Sequence, residues 1–238
     1  MDYGLSTIDQ GLSTKNMARF TRLQAYAKMA ETGLVPVFYH SDLEVCQQVL
    51  AASYRAGVRV FEFTNRGDFA HEIFGELNKF AAQHCPEMIL GAGTVFDAGT
   101  ASLYMQLGAC FIVSPVLKDD VAITCNRRKV GWIPGCATMG EVSRAEELGA
   151  EVVKIFPGDV VGPAFVKSLL APMPWSTVMV TGGVKPEAEN LKSWFQAGVT
   201  CVGLGSQLVP SDLLKNKNYA GIEAHMKATM DLVKQVRA

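Results

Sequence analysis

The segment Leu148-Gly149-Ala150-Glu151-Val152-Val153-Lys154-Ile155-Phe156-Pro157 decides the fold. Gly149 follows directly on an amphipathic stretch, Met139–Leu148, where a left-handed C-cap is free of Cβ strain. A short apolar, β-branched run comes next, and a further helix-like stretch begins at Pro163. The same grammar repeats outward in both directions: Ala56-Gly57, Leu107-Gly108 and Ala197-Gly198 also end helical runs just before an apolar run. The apolar runs are Leu34–Tyr39, Val58–Phe63, Met88–Ala92, Ala109–Val113, Gly131–Ile133, Glu151–Phe156, Thr177–Thr181 and Val199–Leu204. Between them lie Leu43–Ala56, Phe69–Gln83, Ala98–Leu107, Lys118–Arg128, Met139–Leu148, Pro163–Leu170 and Pro186–Ala197, with a last helix at Ile222–Val236 and a first at Lys15–Glu31. Strand followed by helix, eight times over, is the pattern of parallel βαβ units whose strands are covered on both faces. It predicts an α/β chain closed as a (β/α)8 TIM barrel with an extra N-terminal helix, inside a helical extension of about residues 1–33. An open doubly wound sheet with fewer strands is the alternative, because Gly131–Ile133 is a weak run.

Composition narrows the function. The chain has 238 residues, which fits one barrel domain over residues 1–238. Hydrophobic residues make up 49% and charged residues 19%, so the chain can bury a large interior. The 22 Lys+Arg balance 23 Asp+Glu to a net charge of −1, without the cationic stripe a nucleic-acid binder needs. No apolar run approaches the roughly 20 residues of a membrane span, and the polar stretch Met1–Lys15 does not read as a secretory signal. Six cysteines without a C-x-x-C pair read as reduced core thiols of a cytoplasmic protein, and the four histidines lack zinc-ligand spacing, so no metal site is expected.

In a barrel of this kind the chemistry sits at the C-terminal strand ends and the loops after them. Those positions hold Tyr39 and His40; Glu62, Thr64 and Arg66; Gly93 and Thr94; Ser114 and Pro115; Pro134 and Gly135; Lys154 and Phe156; Thr181, Gly182 and Gly183; Gly205 and Ser206. Lys154 stands out within Val152–Phe156, where alternation sets it on the opposite face from Val153 and Ile155, pointing inward. Desolvation lowers the pKa of a buried amine, and a neutral amine attacks a carbonyl to form a Schiff base. A strand-end lysine reaching solvent or pairing with a carboxylate is the other reading. Glu62, embedded in Val60–Phe63, is suited by burial to general acid–base work. Arg66 offers a planar fork for a substrate carboxylate, unless the two simply pair with each other. Thr181-Gly182-Gly183 and Gly205-Ser206 follow the seventh and eighth strands, where phosphate sites of such barrels are frequently built from backbone N–H groups. Gly91-Ala92-Gly93-Thr94 lacks the third glycine and acidic partner of a dinucleotide loop.

These motifs, taken together, resemble a known family. Val35-Pro36-Val37, Phe61-Glu62-Phe63-Thr64-Asn65-Arg66, Gly91-Ala92-Gly93-Thr94-Val95, Ile133-Pro134-Gly135, Val153-Lys154-Ile155-Phe156-Pro157, Thr181-Gly182-Gly183-Val184 and Gly205-Ser206 stand in the order found in the 2-dehydro-3-deoxy-phosphogluconate (KDPG)/4-hydroxy-2-oxoglutarate aldolases, from about Leu34 to Pro210. The resemblance implies a class I, Schiff-base aldolase on a TIM barrel, needing no cofactor and forming a homotrimer. Its small-molecule partners are a phosphorylated keto sugar acid and pyruvate. It further implies Lys154 as the Schiff-base lysine, Glu62 as the proton shuttle, Arg66 and Thr94 as binders of the pyruvyl carboxylate, and Pro134, Thr181 and Phe156 as walls of the substrate pocket. Gly182, Gly183, Gly205 and Ser206 correspond to the phosphate site. The chain departs from the family at Ile155-Phe156-Pro157-Gly158-Asp159, where Phe-Phe-Pro-Ala-Glu is common, at Phe38-Tyr39-His40, where some members carry an Arg, and at Asn65, where Leu is frequent. Other phosphate-binding barrels (epimerases, isomerases, phosphate synthases) and a catalytically silent sugar-phosphate-binding barrel are the alternatives.

Overall fold

The computed structural model describes residues 18–238; the stretch 1–17, including the Lys15–Met17 start expected for the first helix, lies outside the described residues. Eight parallel strands close a barrel in chain order: β1 (Leu34–Phe38), β2 (Val60–Thr64), β3 (Ile89–Gly93), β4 (Phe111–Ser114), β5 (Gly131–Cys136), β6 (Val153–Ile155), β7 (Val178–Thr181) and β8 (Cys201–Leu204). The seam is parallel as well, with Val35 of β1 in register with Gly203 of β8. The open-sheet alternative is thereby excluded. Around the barrel run α2 (Leu43–Arg55), α3 (Ala70–His84), α4 (Ala98–Gln106), α5 (Asp119–Arg128), α6 (Met139–Glu147), α7 (Gly158–Leu170), α8 (Ala188–Gln196), the short α9 (Ser211–Lys215) and α10 (Tyr219–Arg237), while α1 (Arg22–Thr32) precedes β1. Gly57, Gly108, Gly149 and Gly198 all hold positive φ, as their helix-ending role requires.

Several boundaries differ from expectation for local reasons. α1 starts at Arg22, because Thr21 and Gln24 form a reciprocal capping box there. The weak run at Gly131 continues to Cys136, since Pro134 and Gly135 stay in the ladder, paired to Ser114 and Lys154. α7 begins at Gly158 instead of Pro163; it is broken at Gly162 (φ 72, ψ 169), and Pro163 opens its second half. α9, five residues long, is too short to show a helical period in sequence.

Alternation along the strands divides the core in two. Leu34, Phe61, Phe63, Leu90, Ile112, Val153, Ile155 and Val180 face outward into the layer beneath the helices. Val35, Val60, Ile89, Phe111, Val113, Ile133, Val152, Met179 and Cys201 fill the barrel, joined by Ala25, Tyr26 and Met29 of α1. α1 therefore closes the N-terminal end of the barrel. Its anchor is the Tyr26 phenol, which accepts from the Trp132 N–H (2.8 Å) and donates to the Trp132 carbonyl (3.3 Å). β5 pairs with β6 only from Gly135 onward, so the phenol serves strand backbone below that point. Gly131 leaves it room: a Cβ there would stand 2.9 Å from the Tyr26 oxygen. An Arg22–Glu151 ion pair (3.1 Å) ties the same helix to the approach to β6.

Tyr26→Phe strands the buried N–H of Trp132 and is expected to lower the urea-unfolding free energy by about 1–3 kcal/mol, with an unchanged m-value. A midpoint equal to that of the parent would show that α1 does not depend on this bond.

Candidate active site

The C-terminal rim of the barrel opens into a cavity of about 550 Å³, lined by residues that include Tyr39, Thr64, Arg66, Phe156, Thr181, Gly182, Gly183, Gly205 and Ser206. Lys154 and Glu62 lie one inward position deeper, each two residues before a lining residue, Phe156 just past β6 and Thr64 at the end of β2. Both are buried, at 6% and 1% exposure. A slightly larger groove of about 640 Å³, bordered by Glu72, Lys79 and Gln106, lies among the outer helices α3 and α4, away from the strand ends.

The pair owes its placement to glycines on neighbouring strands. The Glu62 carboxyl reaches across to β3 and lies over the bare Cα of Gly93, where a Cβ would fall 1.8 Å from Oε1. Glu62 is in register with Gly91, whose missing side chain makes space for the Phe111 ring. Lys154 is in register with Gly135 on one side and Met179 on the other, and its Nζ stands 4.8 Å from the Phe156 ring centroid. On β8, Gly203 leaves room for Met179 and for the Thr181 side chain.

Neither bland reading of these charges holds. Lys154 is almost wholly buried, and the ion pairs among the described residues include none of Lys154, Glu62 and Arg66. Glu62 Oε2 is buried without a hydrogen-bond partner. Burial holds the Lys154 amine below the ordinary lysine range; the nearby Glu62 charge works against that shift and Arg66 reinforces it. Burial likewise pushes the Glu62 carboxyl up, opposed by Lys154 and Arg66. Desolvation is the largest cause in both, so each group is biased toward its neutral form.

The remaining strand-end residues fall into place around this pair. Thr94 sits next to Gly93 with φ 62, a left-handed conformation that a β-branched residue adopts only under constraint from its surroundings. Pro134 is buried beside Gly135, the register partner of Lys154. Neither Thr94 nor Pro134 is among the residues that line the cavity. Thr181 Oγ1 is buried without a hydrogen-bond partner. Gly182 (φ 89) and Gly183 (φ 67) turn sharply against the start of α7; a Cβ on Gly183 would stand 2.8 Å from the Asp159 Cα. Gln207 and Ser211 also line the cavity and escaped the sequence reading, because Ser211 opens the short α9.

The two buried groups give opposite pH signatures. The unfolded chain keeps Lys154 protonated up to its ordinary 10.5 while the fold resists the charge. Stability from this site therefore rises with pH toward that value. Lys154→Met is expected to be more stable than the parent by about 1–4 kcal/mol near pH 7, the gain shrinking as pH approaches 10.5. Glu62 ionises in the unfolded chain above 4.5 but is held back in the fold. The gain from Glu62→Gln should therefore appear above that pH and grow. Denaturant melts across pH check both slopes; parallel stability curves for parent and variants would contradict the burial argument.

Residues 26–225, from within α1 into α10, match the family model described as "Aldolase: KDPG and KHG aldolase". The KHG/KDPG aldolase of Escherichia coli (strain K12) is 33% identical over 190 residues, covering 78% of this chain and 85% of that protein. The 2-dehydro-3-deoxy-6-phosphogalactonate aldolase of the same strain is 36% identical over 150 residues, 61% of this chain and 70% of that protein. The solved KDPG aldolase from Legionella pneumophila, with pyruvate captured as a covalent carbinolamine intermediate, superimposes with a TM-score of 0.78 at 27% identity, covering 85% of this chain and 96% of that one. The family match spans the barrel and both strands that carry the buried amine and carboxyl, and on that footing the chain belongs to the KDPG and KHG aldolase family of class I lyases.

Proposed function

We propose that the protein reversibly cleaves a 2-keto-3-deoxy-6-phospho sugar acid into pyruvate and glyceraldehyde 3-phosphate, and 4-hydroxy-2-oxoglutarate into pyruvate and glyoxylate. The observation that carries this reading is the buried, unpaired Lys154 amine set beside the buried Glu62 carboxyl. The neutral amine attacks the C2 carbonyl to form a carbinolamine. Glu62 in its acid form gives a proton to the departing hydroxyl, and water leaves as the iminium forms. The resulting carboxylate takes the C4 hydroxyl proton, through a water, while the C3–C4 bond electrons flow to the iminium nitrogen. Aldehyde departs, the enamine is reprotonated at C3, and hydrolysis frees pyruvate and Lys154. Because the iminium nitrogen is the electron sink, no cofactor is called for.

Arg66, among the described residues the one charged residue lining the cavity, and Thr94 hold the pyruvyl carboxylate. Phe156, Thr181 and Pro134 form the walls of the keto-acid end. Gly182, Gly183, Gly205 and Ser206 receive the phosphate, with glycine backbone admitting close approach of the anion. The exposed apolar side chains Phe69, Phe96, Val116 and Met139, which follow β2 to β5 in turn, support a homotrimer in which that face is covered. Six buried, unpaired cysteines support a cytoplasmic location. Among the described residues no helix is long and apolar enough to cross a membrane.

Incubation with pyruvate and borohydride is expected to leave a reduced adduct on Lys154, located by peptide mass; full activity with Lys154 unmodified would refute the mechanism. Lys154→Ala should lose about 10⁴-fold or more in kcat. Ser206→Ala should raise KM for the phosphorylated substrate roughly tenfold and leave the glyoxylate reaction near parental. An unchanged KM would remove Ser206 from the phosphate site.

A further inference from the structure

Arg66 is exposed and joins no ion pair among the described residues, so its own side chain does little to fix its direction. Its aim depends on the backbone of the turn after β2. That turn is held by Asn65 N–H donating to the Gly93 carbonyl (2.9 Å) and Arg66 N–H donating to the Thr64 carbonyl (3.0 Å). The Asn65 side chain accepts, at Oδ1, a 2.9 Å hydrogen bond from the Tyr104 hydroxyl of α4. Tyr104 is fully buried, with its ring edge-on to Phe74 at 5.1 Å between centroids. On the other flank of Arg66, the Tyr39 hydroxyl lies against Gly67, where a Cβ would stand 2.1 Å from it.

We propose that the Tyr104–Asn65 hydrogen bond is a positioning device for Arg66, setting the carboxylate anchor of the keto-acid site from behind the barrel wall. The inference rests on Arg66 being that anchor. Burying a phenol is costly unless its hydroxyl is bonded, and among the described residues the partner Tyr104 finds is the residue immediately before Arg66. A leucine at position 65 would fill similar space without a directional bond. Burial pushes the Tyr104 hydroxyl up to about 12, with the nearby Tyr39 adding to the shift, so it remains a donor across the working pH range. Tyr104 acts through Asn65 and touches no substrate; it is a positioning residue, and its signature is selectivity for the carboxylate rather than rate.

The test uses Tyr104→Phe, Asn65→Leu and the double variant. It measures kcat and KM for keto-acid cleavage and the rate of borohydride trapping with pyruvate against its uncharged methyl ester. Tyr104→Phe is expected to raise KM about fivefold with kcat within about twofold of parental, and to erode the preference for pyruvate over the ester by a similar factor. Asn65→Leu should match it, and the double variant should be no worse than either single one, because all three remove the same bond. Asn65→Leu supplies the same readout should Tyr104→Phe fail to fold. Unchanged KM and preference, equal losses with pyruvate and ester, or additive effects in the double variant would each overturn the proposal while Lys154 labelling in the parent leaves the aldolase reading standing. Absence of labelling in the parent protein would instead overturn the aldolase reading itself.

Discussion

Withholding water from one amine and one carboxyl at the same time is the constraint on which the rest of this structure depends. Were Lys154 and Glu62 in direct contact, they would exchange a proton and settle as an ion pair, a poor nucleophile beside a poor acid. Were they in solvent, each would return to its ordinary charge. The barrel instead buries both, brings them close enough for each charge to moderate the other, and leaves Glu62 Oε2 without a partner. Unsatisfied buried polar groups destabilise a fold, so this one marks where stability is sacrificed for reactivity.

The rest of the barrel serves that pocket. α1 closes the far end through Tyr26, and the apolar inner cluster fills the barrel below the reactive pair. At the open end, glycines decide where side chains can go: Gly93 beneath the Glu62 carboxyl and Gly203 beneath Thr181 are places where a methyl group would collide with a reactive or lining residue. Charge is sparse around the cavity. Among the described residues Arg66 is the one charged residue that lines it.

Much of this was legible in sequence because the signals are local. Glycine after a helix, as at Gly57, Gly108, Gly149 and Gly198, then an apolar run, marks a βα repeat without reference to anything distant, and a lysine or glutamate among valines and phenylalanines betrays an inward-facing charge. What escaped depends on contacts far apart in the chain. Tyr26 meets Trp132 across 106 residues and Tyr104 meets Asn65 across 39, and neither tyrosine differs in its local setting from an ordinary core aromatic. The stretch 158–162 at the start of α7 carries no such local signal; Gly158 is set by a close contact, where a Cβ would stand 2.4 Å from the Gly182 carbonyl. Gly93 could be read as permitting close approach, but not that Glu62 makes it.

The central claim is that burial lowers the pKa of the Lys154 amine in the resting enzyme, toward its neutral form. Its most direct measurement is an NMR titration of the ¹⁵N-labelled Lys154 side chain in the unliganded protein. The account predicts a midpoint clearly below 10.5, moving lower still in Glu62→Gln, where the carboxylate that favours the charged form is gone. A midpoint at or above 10.5, unmoved by that substitution, would contradict it.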